Sequence, residues 1–524
     1  MNSDKENPGI SLLKKGQKGL IHAIFSRLGI ILVLLAVQVL LLLGAFHWFE
    51  EFLPHIYGGA IVFTVFMVLY LLNTDYDNSA KITWLILIML MPVFGALLFL
   101  YTKQEVGHRA LKDRTAKMIA QSQTAVSQDP AITQSLEAEN PGAASLAAYV
   151  GRSGAHPVWQ NTEVQYFPIG ERMFEEMKRQ LEKAEKYIFM EYFIIDEGTM
   201  WGQILDILAR KVQQGVDVRV IYDGTNEFSK LPHDYPDRLG KLGIRCRMFA
   251  PVRPFVSTHY NYRDHRKILV IDGHTAFNGG INIADEYINL THRYGHWKDT
   301  GLMLRGDAVR NFTLMFLQMW NLNEAKPEFA SYMDSPMPKV ESTGYVMPYG
   351  DCPVDDDKVG EHVYIDLLNR AHRYVHMTSP YLIIDGEMED ARKFAAKRGV
   401  DVELILPGIP DNYPAHAVAY THYKALIAAG VKIYEYTPGY VHAKMSVMDD
   451  REAVVGTINL DYRSLYHHFE CATYMADTPC IPEIEQDFTE IRGLSRLIDE
   501  NAVKNETFAR KFTGFLVKTI APLL

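Results

Sequence analysis

The feature that most constrains this sequence is a motif that occurs twice in the same register. The stretch HRKILVIDG opens one copy, and VHAKMSVMDD contains the start of the other. Both copies read H-x-K-x4-D and then, after six further residues, G-x-x-N. The copies comprise His265, Lys267, Asp272 and Asn282, and then His442, Lys444, Asp449 and Asn459. Equivalent residues lie 177 positions apart, which predicts a duplicated structural unit.

Composition limits the classes of protein to which this chain can belong. Its 524 residues are 48% hydrophobic and 22% charged, which is typical of a globular or mixed membrane protein with several domains. The net charge of −10 argues against a nucleic acid partner bound through a basic surface. The four cysteines have no C-x-x-C spacing, so the sequence predicts neither a disulfide framework nor a thiolate metal cluster.

Three apolar runs near the N-terminus predict a membrane anchor. They are Leu28–Phe49, Ile56–Leu72 and Ile82–Tyr101, and roughly 20 apolar residues span a bilayer core. We therefore expect a basic tail over 1–27 and an anchor of about three transmembrane helices over 28–102, in a multi-pass protein of the cell membrane. Basic residues flank both ends of the anchor, and an odd number of crossings cannot place both flanks in the cytoplasm. We expect the catalytic part to face the cytoplasm.

The rest of the chain alternates helix-like and strand-like patterns, and it does so twice. The helical period of WGQILDILARKVQQ leads into the strand-like GVDVRVIYDG, and GVDVELILPG is its counterpart in the second half. We predict an α/β fold of two similar lobes, each a mixed sheet flanked by helices, related by a pseudo-twofold axis. The expected boundaries are a linker or stalk over 103–145, a first lobe over 146–335, a second lobe over 336–482 and C-terminal helices over 483–524.

The motif residues themselves indicate phosphate chemistry. Residues two apart on a strand face the same side, so His265 and Lys267 project together, and so do His442 and Lys444. If the lobes pack about a twofold axis, two imidazoles, two ammonium groups and two asparagine amides meet in one pocket suited to a phosphate oxyanion. One histidine can then attack phosphorus while the other protonates the departing alkoxide. Neither role requires a metal ion or an organic cofactor.

The paired motifs resemble those of the phospholipase D superfamily. The stretches HRKILVIDG, GGINIADEY, SPYLIID and GTINLDYRS, together with the hydrophobic N-terminus, resemble the bacterial cardiolipin synthases more closely. The resemblance implies two phospholipase D-like lobes and a phosphatidyltransferase that makes cardiolipin and glycerol from two phosphatidylglycerol molecules through a phosphohistidine. It also implies that His265 is the nucleophile and His442 the general acid. The implied phosphate-binding residues are Lys267, Lys444, Asn282 and Asn459.

The same resemblance assigns the acidic residues. Glu470, in the dipeptide FE, fits the acid that orients the histidine of the second copy, and Asp299 is the corresponding expectation for the first. The motif aspartates Asp272 and Asp449 are expected to hold their lobes together, because an aspartate after a strand is also an ordinary turn signal. His468 departs from the family pattern, since asparagine is common at that position.

Other activities stay open at the level of sequence. The same pocket could serve a phospholipase, a phosphatidylserine-forming transferase or an anchored nuclease. A non-catalytic membrane scaffold is disfavoured because the histidines and lysines are intact in both copies. The expected partners are phosphatidylglycerol and membrane phospholipids, and a homo-oligomer is open. The tail TFARKFTGFLVKTIAPLL has helical apolar spacing, and we expect it to pack on a lobe in preference to contacting the membrane.

Overall fold

A computed structural model gives the fold of the chain. It describes residue 40 and the ranges 53–74, 78–91, 95–96, 98–99, 106–228, 230–251, 262–324, 326–355 and 357–521. These residues divide into two compact units. The larger unit contains residues 111–251 and 262–517, and the smaller contains the described part of 16–110 together with 518–521.

The smaller unit contains two helices that overlap the second and third predicted apolar runs. Helix α1 spans Leu53–Leu72 and α2 spans Asn78–Leu90. The predicted basic tail and the first apolar run, Leu28–Phe49, lie outside the described residues except for Leu40. Among the residues that the structure describes, no helix has the length and apolar character needed to cross a bilayer.

The first lobe alternates strands and helices and is preceded by three helices. Those helices are α3 (Val106–Ser122), α4 (Pro130–Glu139) and α5 (Pro141–Gly154). The lobe contains β1 (Thr162–Phe167), α6 (Gly170–Leu181), β2 (Tyr187–Tyr192), α7 (Thr199–Gln213), β3 (Asp217–Asp223), α8 (Tyr235–Gly240), β4 (Arg245–Phe249), β5 (Arg263–Asp264), β6 (Lys267–Ile271), β7 (Thr275–Gly279), β8 (His296–Lys298), β9 (Gly301–Gly306), α9 (Val309–Asn321) and α10 (Ala330–Met333). Short 3-10 helices span Gly224–Phe228 and Asp285–Ile288.

The second lobe follows the same plan and extends further at its C-terminal end. It contains β10 (Tyr345–Asp351), α11 (Val359–Arg370), β11 (Tyr374–Thr378), β12 (Leu382–Ile383), α12 (Gly386–Lys397), β13 (Asp401–Pro407), α13 (Tyr413–Ala428), β14 (Lys432–Tyr436), β15 (Gly439–Val441), β16 (Met445–Met448), β17 (Glu452–Gly456), β18 (Leu460–Asp461), α14 (Tyr462–Tyr466), β19 (His468–Ala476), α15 (Ile481–Gly493), β20 (Ser495–Ile498), α16 (Glu500–Lys504) and α17 (Phe508–Ile520).

The two lobes have equivalent sheets. The first has the strand order β1-β9-β7-β6-β2-β3-β4, and the second has β10-β19-β17-β16-β11-β13-β14-β20. In the first sheet β2, β3 and β4 run parallel to one another, and in the second sheet β11, β13 and β14 do the same. The motif strands β6 and β16 pair antiparallel with β2 and β11. The predicted α/β fold of two mixed sheets is therefore confirmed. The duplication seen in the sequence is a duplication of topology.

The motif strands are buried on both faces. In β6, Ile268 and Val270 pack in a core that contains α9 and α15, whereas Leu269 packs on the opposite face against α6 and α7. The first of these cores also holds Val447 and Val455 from the second lobe, so the two lobes share one continuous apolar interior. This shared interior fixes the motif strands of both lobes against each other.

The motif aspartates close their strands and bind the neighbouring strand. Asp272 has a φ of 52° in the turn after β6, and its carboxylate accepts hydrogen bonds of 2.7–2.8 Å from three backbone N–H groups. Those donors are Glu185, Lys186 and Tyr187, at the start of β2. Asp449 has a φ of 54° and accepts three equivalent bonds of 2.8 Å at the start of β11. Both aspartates thus tie two strands of one sheet together.

Two predicted boundary segments differ from the structure. The interval 103–145, predicted to be a linker or stalk, contains α3, α4 and the start of α5. Leu136 and Ala143 are fully buried in the core of the second lobe. This segment is polar and contains a stretch rich in Ser, Thr, Ala and Pro, so its composition resembles a linker although its helices pack. The interval 483–524, predicted to be helical, also contains β20, because Ser495–Ile498 pairs antiparallel with β14.

Candidate active site

Two short strand pairs cross between the lobes and position the motif histidines. Strand β5 of the first lobe pairs with β19 of the second, and the His265 N–H donates to the Phe469 carbonyl at 2.9 Å. Strand β15 of the second lobe pairs with β8 of the first, and the His442 N–H donates to the Lys298 carbonyl at 2.7 Å. Each histidine is therefore fixed by the backbone of the opposite lobe.

The imidazoles are bonded to carboxylates of the opposite lobe. His265 Nδ1 lies 2.8 and 2.9 Å from the two oxygens of Glu470, and His442 Nδ1 lies 2.6 Å from Asp299 Oδ2. Both carboxylates are fully buried. The predicted acids are thus at the histidines, but the predicted pairing is wrong, because each acid directly follows the residue whose carbonyl binds the other lobe's histidine.

The glycines of the motif allow the chain segments next to the two acids to approach closely. Gly279 has a φ of 152°, and a Cβ there would lie 2.4 Å from the Thr300 carbonyl oxygen. In the second lobe, a Cβ at Gly456 would lie 2.5 Å from the Ala472 backbone. Any larger residue would push β9 away from β7, or β19 away from β17. The G-x-x-N element thus contributes to placing the carboxylates.

Burial sets the protonation of the histidines. It lowers the pKa of His265 to about 3 and that of His442 to about 4, although the bonded carboxylates oppose both shifts. Burial alone would raise the pKa of Glu470 and Asp299, but the facing histidines hold both pKa values below their ordinary range. Near neutral pH the imidazoles are therefore neutral, each donates its Nδ1 proton to an ionised carboxylate, and each Nε2 carries a lone pair.

The two lysines turn back onto the motif backbone. Lys267 Nζ donates to the His265 carbonyl at 2.5 Å, and Lys444 Nζ donates to the His442 carbonyl. Burial lowers the pKa of Lys267 to about 8 and that of Lys444 to about 7. The Lys267 charge also contributes to lowering the pKa of Lys444 and of His442. The lysine of the first lobe therefore influences charged groups of the second, which is what packing of the lobes about a twofold axis predicts.

The two motif asparagines differ in their bonding. Asn282 accepts from the Ile194 N–H at 3.0 Å and donates to the Tyr287 hydroxyl at 2.7 Å. Asn459 is buried, and its Oδ1 has no hydrogen-bond partner among the residues that the structure describes. Only the second asparagine thus has a carbonyl oxygen available to a ligand.

Aromatic rings that sequence reasoning missed surround the histidines. The Phe193 ring lies 4.9 Å from that of His265, and the rings of Tyr287 and Trp297 lie 5.3 and 5.4 Å from that of His442. These distances join ring centroids. Trp297 comes two residues before Asp299, so its place near an expected acid was the available signal, and no local signal pointed to Phe193 or Tyr287. These rings help to bury both imidazoles.

His468 lies beside the first histidine. Its ring centroid is 5.3 Å from that of His265, and its Nδ1 is 3.6 Å from Glu470 Oε1. Within the described part of the chain neither ring nitrogen makes a hydrogen bond. Ligand atoms of His265, His468 and Glu470 lie within 4.8 Å of one another, so these residues could hold a metal ion. Such an ion would compete for the atoms of the His265–Glu470 pair.

Comparison with known proteins identifies the family. A profile described as cardiolipin synthase, phospholipase D-like domain, matches residues 177–320 and 364–492, one match in each lobe. A cardiolipin synthase of Geobacillus kaustophilus is 32% identical over 88% of this chain and 92% of its own length. The chain belongs to the cardiolipin synthase family. A second profile, described as phospholipase D-nuclease N-terminal, matches residues 62–102.

Other relatives show how far the family likeness extends. Cardiolipin synthase 2 of Bacillus anthracis is 32% identical and covers 85% of this chain and 87% of its own. An uncharacterised protein of Streptococcus mutans serotype c is 54% identical over 87% of this chain and 99% of its own. Among solved structures, phosphatidylserine synthase of Haemophilus influenzae matches with a TM-score of 0.53 at 15% identity, covering 69% of this chain and 93% of the other. That last match shows a shared fold alone.

Proposed function

We propose that this protein is a cardiolipin synthase that transfers a phosphatidyl group from one phosphatidylglycerol to another and releases glycerol. The observation that carries the proposal is the reciprocal pair of buried histidines, each bonded to a carboxylate of the opposite lobe and each beside a lysine. This arrangement provides a nucleophile, a proton donor and two cations for one phosphodiester. The curated relatives named cardiolipin synthase support the choice of lipid substrate.

In the first step, His265 Nε2 attacks phosphorus of the donor lipid. A phosphorus–nitrogen bond forms, the bond to the glycerol oxygen breaks, and His442 gives the leaving oxygen its proton. Glu470 supports this role of His265, because a carboxylate on Nδ1 stabilises the positive charge that the ring gains on attack. The two lysines would neutralise the non-bridging phosphate oxygens.

In the second step, a hydroxyl of a second phosphatidylglycerol attacks the same phosphorus. His442, now neutral, takes the hydroxyl proton, the phosphorus–nitrogen bond breaks, and His265 is restored. Water in place of the lipid hydroxyl would give phosphatidic acid. The aromatic rings around both histidines support transfer over hydrolysis, because they limit the water beside the intermediate.

His442 must be protonated before the first step, although burial keeps it neutral in the free site. An anionic phosphodiester placed beside it raises its pKa through the opposite charge. Substrate binding would therefore charge the acid only when there is a leaving group to protonate. The open Oδ1 of Asn459 is suited to accept a hydrogen bond from a hydroxyl of the lipid headgroup.

The lipid substrates also favour a membrane location. We propose that the apolar runs between 28 and 102 anchor the chain in the cell membrane with the catalytic lobes facing the cytoplasm. The N-terminal profile match at 62–102 covers most of the second apolar run and all of the third. It supports the interpretation that this segment is a family N-terminal region. Phosphatidylglycerol would then reach the site from the membrane to which the lobes are tethered.

The test is a product assay with the full-length protein purified in detergent. Phosphatidylglycerol is the sole lipid, and we expect equal amounts of cardiolipin and glycerol, measured by mass spectrometry. Phosphatidic acid as the sole product would instead establish a phospholipase. The control is His265→Ala: unchanged cardiolipin formation in that variant would contradict the proposed chemistry.

A further inference from the structure

Three consecutive residues of the first lobe contact the second catalytic histidine. The Trp297 ring and the Asp299 carboxylate lie against the His442 imidazole, at 5.4 Å between ring centroids and 2.6 Å from Oδ2 to Nδ1. The carbonyl of Lys298, between them, accepts the N–H groups of His442 and Ala443 at 2.7 and 3.2 Å. A displacement of this tripeptide therefore moves the ring, the carboxylate and the backbone acceptor of His442 together.

The Lys298 side chain forms a buried ion pair with the second lobe. Its Nζ lies 2.8 Å from both carboxylate oxygens of Asp487, which is on α15, and it also donates to the Pro168 carbonyl. The Tyr166 hydroxyl, on β1 of the first lobe, donates to Asp487 Oδ2 at 2.6 Å. The side chains of Lys298, Asp487 and Tyr166 are all buried. One carboxylate of the second lobe thus binds two donors of the first.

This ion pair is better suited to fixing a position than to adding stability. The cost of removing both charges from water offsets most of the attraction between them. Burial lowers the pKa of Lys298, and the charge of Asp487 opposes that shift. The bonding is directional, because Nζ must reach two oxygens of one carboxylate and the Pro168 carbonyl from a single place. The pair therefore defines where the backbone of Lys298 lies relative to α15.

The other strand pair that crosses between the lobes differs at the equivalent place. Phe469 is the residue whose carbonyl accepts the His265 N–H, and its ring packs 5.5 Å from that of Phe249. An apolar contact holds this backbone without a directional bond, whereas Lys298 holds its own through charge. The ion pair is therefore a property of the His442 half of the site.

We propose that Lys298 and Asp487 are positioning residues that hold His442 and Asp299 in the geometry for proton exchange. In this role neither residue touches the lipid. Asp487 acts through Lys298, and Lys298 acts through its own carbonyl and through the backbone that carries Asp299. The proton exchange by His442 rests on the proposed function, whereas the ion pair and the strand pair that it holds do not.

Hydrogen exchange tests the structural half of the proposal without any reaction. The variant is Lys298→Met with Asp487→Leu in the full-length protein in detergent, which removes both charges and keeps similar volumes. We expect backbone exchange in a peptide over 439–444 to rise at least about tenfold, because the β8–β15 pair opens more often. A peptide over 263–267, across the β5–β19 pair, is the internal control and should exchange as in the unmodified protein. Equal changes in both peptides, or no change in either, would overturn the proposal.

Two further variants separate the ion pair from the helix that carries it. Tyr166→Phe removes one hydrogen bond to Asp487 and keeps the ion pair, so it should raise exchange over 439–444 by a smaller factor even if the double variant does not fold. The matched control is Arg492→Met, because Arg492 is also on α15 but donates to Glu403 of the second lobe at 2.8 Å. It should leave that peptide unchanged. A rise as large as that of the double variant would assign the effect to α15 as a whole and overturn the proposal.

Activity separates positioning from a general loss of structure. In the double variant, kcat for cardiolipin formation should fall about 10- to 100-fold, while KM for phosphatidylglycerol stays within about threefold. A phosphatidyl ester of p-nitrophenol, whose leaving group needs no protonation, should still release its first equivalent of p-nitrophenol at the rate of the unmodified protein. Loss of that burst together with cardiolipin formation would contradict a role confined to His442. If the unmodified protein makes no cardiolipin, the proposed function fails, and the exchange result still decides whether the ion pair holds the strand.

Discussion

The two histidine sites of this protein have the same motif but different surroundings. His265 lies beside Phe193 and His468, and its acid Glu470 also accepts a hydrogen bond from Thr457. His442 lies among tyrosine and tryptophan rings, and Asp299 is bonded to it through one oxygen. Duplication thus reproduced the backbone of the site but not its neighbours.

This difference has a consequence for the chemistry. In a phosphoryl-transfer site of this kind one imidazole attacks and the other exchanges a proton, and different surroundings can favour each histidine for one of those roles. Glu470 contacts the His265 Nδ1 with both oxygens, which favours stabilising the positive charge of a ring bonded to phosphorus. The comparison therefore favours His265 as the nucleophile, in agreement with the family resemblance.

The strongest test of the comparison replaces each histidine in turn. His265→Gln and His442→Gln should both lower cardiolipin formation by about 10⁴-fold or more, since each removes a whole catalytic role. The variants should differ with a phosphatidyl ester of p-nitrophenol, whose leaving group needs no protonation. His442→Gln should still release p-nitrophenol in a burst and gain the mass of a phosphatidyl group, and His265→Gln should do neither. Adduct formation in His265→Gln would reverse the roles.

The crossed pairing of acids and histidines has its own test. Glu470→Gln and Asp299→Asn should each lower cardiolipin formation by about 10²- to 10³-fold, because each leaves a histidine without its orienting carboxylate. In the His442→Gln background, the p-nitrophenyl ester should respond to Glu470→Gln and not to Asp299→Asn. The opposite pattern would restore the pairing expected from sequence. Melting temperatures of all variants serve as the control for folding.

The lysines should give the site an alkaline limit. The pKa values of about 7 for Lys444 and about 8 for Lys267 mean that both ammonium groups lose protons as the pH rises through that range. The attraction for an anionic lipid then weakens, so KM for phosphatidylglycerol should rise about tenfold between pH 7 and 9. Lys444→Arg should move this limb to higher pH, because arginine stays charged. A KM independent of pH would contradict phosphate binding by these lysines.

The motif aspartates should affect stability and not chemistry. Asp272→Ala leaves three N–H groups at the start of β2 without their acceptor, and we expect a loss of about 1–3 kcal/mol in the free energy of unfolding. Asp449→Ala should cost less, because Asp449 is half-buried and water can replace part of its bonding. Thermal melting in detergent measures both. A larger loss for Asp449→Ala would contradict this ranking of the two lobes.

The smallest effect is expected at the position that departs from the family. His468→Asn removes a ring that makes no hydrogen bond in the described structure and leaves the His265–Glu470 pair in place. We expect cardiolipin formation to stay within about threefold of the unmodified protein. A loss as large as that of Glu470→Gln would show that His468 takes part in orienting the carboxylate.

Some features of this protein are determined by local sequence alone. Short-range geometry explains the spacing of His265 and Lys267 on a strand and the turn chemistry of Asp272. The repeat 177 residues later is visible in the sequence itself. They were sufficient to predict two α/β lobes and the residues of the catalytic motif. The alanine-rich helices before the first lobe were not recognised as packed, because small side chains give little apolar signal until a partner surface buries them.

The tertiary structure alone decided which acid serves which histidine. Glu470 and Asp299 each lie closer along the chain to the histidine that they do not contact. Their partners are set by the two short strand pairs that cross between the lobes, and such pairing depends on how two folded sheets dock. Sequence fixes what each lobe presents at its edge, whereas the shared core fixes which edges meet.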